Sequence, residues 1–426
     1  MLSSFLPLLL LLSSVIPLSV SLESLQPPVL PRRSLLKTAG GALLLGPLLS
    51  STDPALAKDA VSVKGEKPLA FILCHPRPTC SYPASLLFFS SSLLLFSSVP
   101  SVKVGSVSVS KSIQGWWELA GGHGSYQTSA VQEVMLKQYS AGFTSFDTAD
   151  IYGPSESIVG EVAKSLGAGV NTKLCVFDSS KISKEAVRQR VLKSRELLGK
   201  IDVLQFFYSD ISKQNYVDVA LWLSELQSEG LFGELGVTNF DVKSLKKMCD
   251  AGVPVKTNQV QCSALDRRVI QSGQADYCAS NGIKLVSFGT VGGGIFSDRY
   301  LNRGKPSSSE LDTYSMKMYS RTAERFGSWD LVQELLRTMK EISTSVNESG
   351  RCPGANISNI AQRYVLQTDP TDGCLLLGSR NDKHITQNTL THAFKLETGE
   401  IDEIQKIVDK RRGPKGDVWD LERGYV

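Results

Sequence analysis

The sequence predicts an α/β fold, a (β/α)8 TIM barrel, over residues 112–412 of a 426-residue chain. Two observations carry this. From residue 112 onward, short apolar strands alternate with amphipathic helices, the pattern of a parallel sheet buried on both faces. The units number eight within about 300 residues, the length such a barrel uses. The competing doubly wound sheet would carry a Gly-rich loop after its first strand. Gly121-Gly122-His123-Gly124 does not fit that GxGxxG pattern.

The elements follow in order. An opening strand falls near Ser112–Leu119, and the others at Phe143–Phe146, Leu174–Phe177, Val203–Phe207, Gly233–Val237, Thr257–Val260, Ile283–Phe288 and Cys374–Leu377. Helices are predicted at Lys184–Leu198, Val217–Ser228, Val242–Cys249, Asp330–Ile342 and Ile357–Gln367. In the first of these, Val187, Val191 and Leu198 are mixed with Arg and Glu. The stretch from Gly289 to Ser328 is long for a connection and reads as a functional flap.

Charge and cysteine content exclude several classes. The net charge of +4 resides in residues 1–110, where Arg32, Arg33, Lys37, Lys58, Lys64, Lys67, Arg77 and Lys103 outnumber Glu23, Asp53, Asp59 and Glu66. The remaining body is neutral, which argues against a nucleic-acid-binding surface. The eight cysteines form no CxxC pair, so no metal site is expected and the thiols read as small buried hydrophobes.

Residues 1–57 read as a targeting region. Residues 1–22 are Leu- and Ser-rich and carry no charge. Arg32-Arg33, an apolar run from Ala42 to Leu49 and Ala55-Leu56-Ala57 then form a twin-arginine export signal with its cleavage site. One signal behind another resembles a two-stage plastid import peptide, so the expected location is the chloroplast, with the thylakoid lumen as the inner address. No membrane insertion is expected after processing. Residues 58–111 are expected to be irregular. Within them, 69–103 (LAFILCHPRPTC onward) read as a retained intron end translated in frame, with residues 413–426 a C-terminal tail.

Function in a barrel sits where strands end at the C-terminal face, and polar residues gather there. Asp147-Thr148-Ala149-Asp150-Ile151-Tyr152-Gly153 follows the second strand. Lys173 stands at the third, Gly236-Val237-Thr238-Asn239-Phe240 after the fifth, and Asn258-Gln259-Val260-Gln261 at the sixth. Ser287-Phe288-Gly289-Thr290 follows at the seventh, and Gly378-Ser379-Arg380-Asn381 after the eighth.

GFTSFDTADIYG, GVTNF, NQVQ and LLLGSRN together resemble the aldo-keto reductase superfamily over residues 112–412. The resemblance implies a (β/α)8 barrel that reduces a small aldehyde or ketone with hydride from NADPH. Hydride attack on a carbonyl leaves an alkoxide that needs a proton from a positioned acid. A tyrosine of pKa about 10 needs tuning for this, by a nearby ammonium that a carboxylate holds in place. By resemblance Tyr152 is the acid, Lys173 the cation and Asp147 its partner. The family's histidine at the end of the fourth strand is replaced by Phe207, which cannot donate to the carbonyl. Losing one such donor costs on the order of 3 kcal/mol, about 100-fold in rate. Tyr208 and His123 are weak substitutes; His123 is expected to be a solvated loop residue.

The cofactor positions follow by the same resemblance. Thr238 and Asn239 match the pair that holds the nicotinamide carboxamide, with Gln259 beside them and Phe288 as the stacking ring. Gly378, Ser379 and Arg380 open a helix suited to the adenosine 2′-phosphate, which favours NADPH over NADH. Gln387 and Asn388 match the adenine-side polar pair. The leading expectation is therefore an NADPH-dependent reductase, slowed by Phe207. The alternative is a barrel that binds NADPH with little turnover and acts in redox sensing or interaction.

Overall fold

The computed structural model describes residues 99–424 apart from 122, 379 and 380. The expected targeting region 1–57, most of 58–111, and Ser379 and Arg380 lie outside the described residues. Eight parallel strands close into a barrel. They are β3 (Ser112–Gly115), β4 (Ser145–Asp147), β5 (Gly169–Val176), β6 (Val203–Tyr208), β7 (Glu234–Thr238), β8 (Val255–Gln261), β9 (Lys284–Phe288) and β10 (Cys374–Gly378). They pair in chain order, and β10 returns to β3, so no edge is left open. The predicted (β/α)8 architecture is the observed one.

Ahead of the barrel, β1 (Ser101–Val104) and β2 (Val107–Ser110) form an antiparallel hairpin. Its SVKV and VSVS strands alternate in side-chain character around Gly105, which takes a left-handed φ of 54°. Val104 and Val109 pack with Ile113, Val203, Val286 and Cys374 from the strands, so the hairpin plugs the end of the barrel away from the strand C-termini. Glu234 at the start of β7 fastens the turn by accepting from Ser106 N at 2.6 Å and Ser106 Oγ at 2.7 Å. This corrects the expectation that 58–111 is irregular over its described part, residues 99–111. The folded body begins before residue 112, and residues 99–103 of the supposed insert belong to it, because their alternating pattern has an apolar floor to cover.

Strand and helix bounds shift in informative ways. β3 ends at Gly115 and gives way to a 3-10 turn, Trp117–Ala120, instead of continuing to Leu119. β5 begins at Gly169, so Lys173 lies mid-strand. The helices expected at Lys184, Val217, Val242, Asp330 and Ile357 are all present, at Lys184–Leu198, Tyr216–Ser228, Val242–Asp250, Trp329–Glu348 and Ile357–Thr368. Thr128–Ser140 and Ser155–Leu166 supply the first two crossovers. The first buries Val131, Val134, Met135 and Gln138, a 3.6-residue stripe thinned by polar neighbours.

The main core fills the space between strands and helices, with Phe146, Leu174, Phe206 and Phe240 among its fully buried members. A second core lies beside β9 and β10, where Leu335, Met339, Ile360 and Ile404 pack against Phe296 and Tyr300. The long connection after β9 is not structureless. It carries the helix Tyr314–Phe326, seated by Tyr319 against Gly289, where an added Cβ would fall 2.4 Å from the Tyr319 ring. The six described cysteines are free, and all but the half-buried Cys249 are buried, as expected of small hydrophobes. Among the described residues no helix is long and apolar enough to cross a membrane.

Candidate active site

Four buried polar side chains meet inside the barrel near its C-terminal mouth. Asp147 ends β4, Lys173 comes from β5, Gln205 from β6 and Gln259 from β8, and each is at most 4% exposed. Lys173 Nζ contacts Asp147 Oδ1 and donates to Thr148 O at 2.9 Å. The other carboxylate oxygen, Oδ2, accepts from Gln205 Nε2 at 2.6 Å and Gln259 Nε2 at 3.0 Å. Gln259 also donates to Gln205 Oε1 at 2.7 Å. A buried ion pair is tolerable only when its remaining lone pairs and protons are satisfied, and the two glutamines do this for Asp147.

The DTADIYG loop is sewn onto β5. Thr148 N donates to Asn171 O at 2.9 Å, Asp150 N to Lys173 O at 3.1 Å, and Tyr152 N to Ala149 O at 3.0 Å. Asp150 accepts from Cys175 N at 3.3 Å and contacts Arg190 on the helix outside. The loop so held brings Tyr152 over Lys173, whose Nζ lies 5.3 Å from the ring centroid. The three expected catalytic residues therefore converge. Tyr152 as a whole is half-buried. That burial pushes the phenol well above its ordinary range, and the Asp147 carboxylate adds to the rise. The direction is opposite to the tuning expected from Lys173: desolvation, the largest cause, outweighs it.

Register places the missing histidine's substitute. Lys173 and Gln205 are partners facing the interior, so Cys175 and Phe207, two residues on, face the same way. Phe207 is half-buried at the mouth and packs on Phe177, with ring centroids 5.6 Å apart. Tyr208 points the other way, into the helix-facing core beside Phe206 and Tyr216, and donates to Asn215. It cannot serve as the substitute donor. His123 is buried, not solvated. It packs between Trp117 and Tyr314 and bonds Gly121 O at 3.0 Å and Ser315 Oγ at 3.3 Å.

Thr238 and Asn239 lie at the end of β7, each 5% exposed. Among the described residues Thr238 Oγ1 and Asn239 Oδ1 have no hydrogen-bond partner. Two orphaned, buried polar atoms on consecutive residues suit a ligand amide. Phe288 ends β9 half-buried, with Trp419 edge-on to its ring. Gln259 is close by in register with Thr238, but its Nε2 is committed to Asp147 and Gln205. Gln387 and Asn388 sit on the helix Ile385–Leu390, held by Asn359 and by Gln362 Nε2 at 3.2 Å. Gly378 leaves room for Glu118, whose Oε1 would stand 2.4 Å from an added Cβ.

Sequence reasoning missed three contributors. Gln205 was visible as the inward residue two before Phe207. Glu118, which also raises the Tyr152 pKa, lies in a 3-10 turn read as strand. The C-terminal segment, read as a tail, packs Trp419 against Phe288 at 6.1 Å.

The fold is thus a closed parallel (β/α)8 barrel with Asp147, Lys173 and Tyr152 gathered at its mouth. The aldo/keto reductase family model matches residues 113–409, more than half of the chain, and the chain belongs to that family. The family's general activity is reduction of small carbonyl compounds with a nicotinamide cofactor. The chain is 24% identical to a chloroplastic pyridoxal reductase of Arabidopsis thaliana over 75% of this chain and 88% of that one. It is 23% identical to an L-glyceraldehyde 3-phosphate reductase of Escherichia coli, over 65% and 83% respectively. In fold it is similar to a glycerol dehydrogenase of Gluconobacter oxydans, with a TM-score of 0.60 and 18% identity, covering 74% of this chain and 97% of that one.

Proposed function

We propose that this chain is an NADPH-dependent reductase of small aldehydes or ketones, with Tyr152 as the proton donor. The observation that carries the reading is the convergence of Asp147, Lys173 and Tyr152 beside the orphaned Thr238 and Asn239. NADPH, when bound, supplies the hydride. Thr238 Oγ1 and Asn239 Oδ1 would hold its carboxamide, and Phe288 would support the ring. Tyr152 keeps its proton at neutral pH because its hydroxyl is desolvated, and releases it only to a strong base such as the alkoxide oxygen. Lys173, fixed by Asp147, then stabilises the phenolate left behind. Phe207 excludes water from the mouth without polarising the carbonyl. Electron-poor aldehydes therefore suit this site best, and pyridoxal, the substrate in the plant relative's name, belongs on the panel.

The test is NADPH oxidation against a panel of aldehydes and ketones. Tyr152→Phe is expected to abolish turnover. Activity indifferent to this change would reject the assignment. The low-turnover sensor reading is favoured by Phe207 alone, and NADPH bound with no turnover on any carbonyl would establish it. Preference for NADPH rests on Arg380 beside Ser379. Arg380→Ala should weaken NADPH by roughly tenfold and leave NADH unchanged. Location in the chloroplast is supported by the plant relative and the twin arginine, and the latter points on to the thylakoid lumen. Replacing Arg32 and Arg33 by Lys should stop lumenal delivery.

A further inference from the structure

We infer that the C-terminal segment 413–424 is a working part of the nicotinamide site, with Arg423 as a positioning residue for Asn239. The inference rests on the NADPH reading above and extends it to residues outside the barrel.

The segment runs across the mouth instead of trailing from it. Val418 is 2% exposed and joins the main core. Next comes a single turn of helix, Asp420–Arg423, too short to hold itself. Two arginines hold it. Arg268, 1% exposed, donates to both Glu422 oxygens at 2.9 Å and to Asp266 Oδ2 at 2.7 Å. Arg423 reaches inward and donates from Nε to Ser209 O at 3.0 Å, and from Nη2 to Tyr208 O at 3.2 Å and Asn239 O at 2.9 Å. One guanidinium thus ties the end of β6, directly after Phe207, to the end of β7.

Asn239 is the residue that needs such a tie. Its φ is 59°, a left-handed conformation that asparagine enters more readily than other side-chain-bearing residues and that its neighbours here hold in one state. Its amide donates to Gln259 O at 2.9 Å, and Arg423 grips its carbonyl from the other side. Held at both ends, the backbone fixes the point from which the buried, unpartnered Oδ1 is presented. On the same segment Trp419 meets Phe288 with rings at 74°, so it fixes the ring expected beneath the nicotinamide. Two of the residues expected on the nicotinamide half, Asn239 and Phe288, are thereby contacted by the C-terminus. Gly378, Gln387 and Asn388, expected on the adenosine half, come from β10 and the helix after it.

This asymmetry gives the test. Calorimetric titration of the full chain would measure NADPH and adenosine 2′,5′-bisphosphate, which lacks the nicotinamide. Arg423→Ala should weaken NADPH by about tenfold or more and leave the bisphosphate within about twofold. Arg423→Lys should recover part of the loss, since an ammonium can still donate to one of the three carbonyls; it also carries the test if the alanine variant does not fold. Equal losses for the two ligands would mean a merely structural role and overturn the proposal, as would unchanged NADPH affinity in a folded Arg423→Ala protein. Failure of the underlying reading is distinguishable: the unsubstituted chain would then bind neither ligand, and the proposal would fall with it.

Discussion

Lys173 Nζ stands 5.3 Å from the centre of the Tyr152 ring while its charge is taken up by Asp147. The ammonium is placed to steady a phenolate, yet the phenol itself sits well above its ordinary pKa because its hydroxyl is desolvated. The sign follows. A proton donor with a raised pKa remains protonated throughout the neutral and mildly alkaline range, up to at least the ordinary phenol value of about 10. Carbonyl reduction should therefore show no falling limb from Tyr152 between about pH 7 and about pH 9, whereas alcohol oxidation, which needs the phenolate, should rise with pH. Rate profiles in both directions measure this. A descending limb in reduction near neutrality that disappears on replacing Tyr152 would contradict it.

Phe207 faces the mouth where the resemblance implies a hydrogen-bond donor, and its neighbour Phe177 is 37% exposed, so the position has room on its solvent side. Phe207→His should raise the rate of carbonyl reduction by up to about 100-fold, the worth of one well-placed donor. The gain should appear in kcat and be largest for unactivated ketones, which depend most on polarisation. Single-turnover rates for an electron-poor aldehyde and a plain ketone would check it. No gain for either substrate in a folded variant would show that carbonyls do not approach this position.

Much of this was legible because strand ends carry the chemistry. Asp147, Thr238 and Asn239 stand at the ends of apolar strands, Tyr152 lies in the loop after one and Lys173 opens the apolar run Leu174–Phe177, while alternation along β6 separates inward Phe207 from outward Tyr208. What could not be read depends on long-range packing. The SVKVGSVSVS hairpin looks like any short polar strand pair until Ile113, Val203, Val286 and Cys374 supply a floor for it. The direction of the Tyr152 shift depends on burial and on the charge of the nearby Asp147 carboxylate, neither of which spacing reveals. The C-terminal segment looks like a charged tail because Arg423 makes its bonds to backbone carbonyls, which leave no mark in side-chain identity.

Gly160 marks a close approach of two outer helices. A Cβ added there would fall 2.1 Å from Leu197 O and 2.9 Å from Leu197 C, both backbone atoms that cannot swing aside. Gly160→Ala gains helix propensity but forces Ser155–Leu166 away from Lys184–Leu198. Overpacking of this kind costs about 1–3 kcal/mol, so urea denaturation should show a net loss of that order. A stabilised variant would mean that the helices can separate freely.

His392 provides a pH handle on stability that is separate from catalysis. It bonds Ser112 Oγ at 2.8 Å at the foot of β3, and burial, then Arg363 and Lys111, bring its pKa down to about 4. In the unfolded chain it titrates near the ordinary value of about 6.5. The folded pKa is the lower one, so the unfolded state binds the extra proton first. The stability held by the neutral ring is complete above about pH 6.5 and drains away as pH falls toward 4, by up to about 3 kcal/mol. His392→Gln keeps a polar partner for Ser112 and removes the titration. Buried carboxyls such as Asp150 and Asp369, raised by desolvation, act alike in both proteins and cancel. Urea denaturation at pH 7 and pH 4.5 should therefore show the unsubstituted protein losing about 2–3 kcal/mol more than the variant. Parallel losses in the two proteins would place the His392 ring in contact with water.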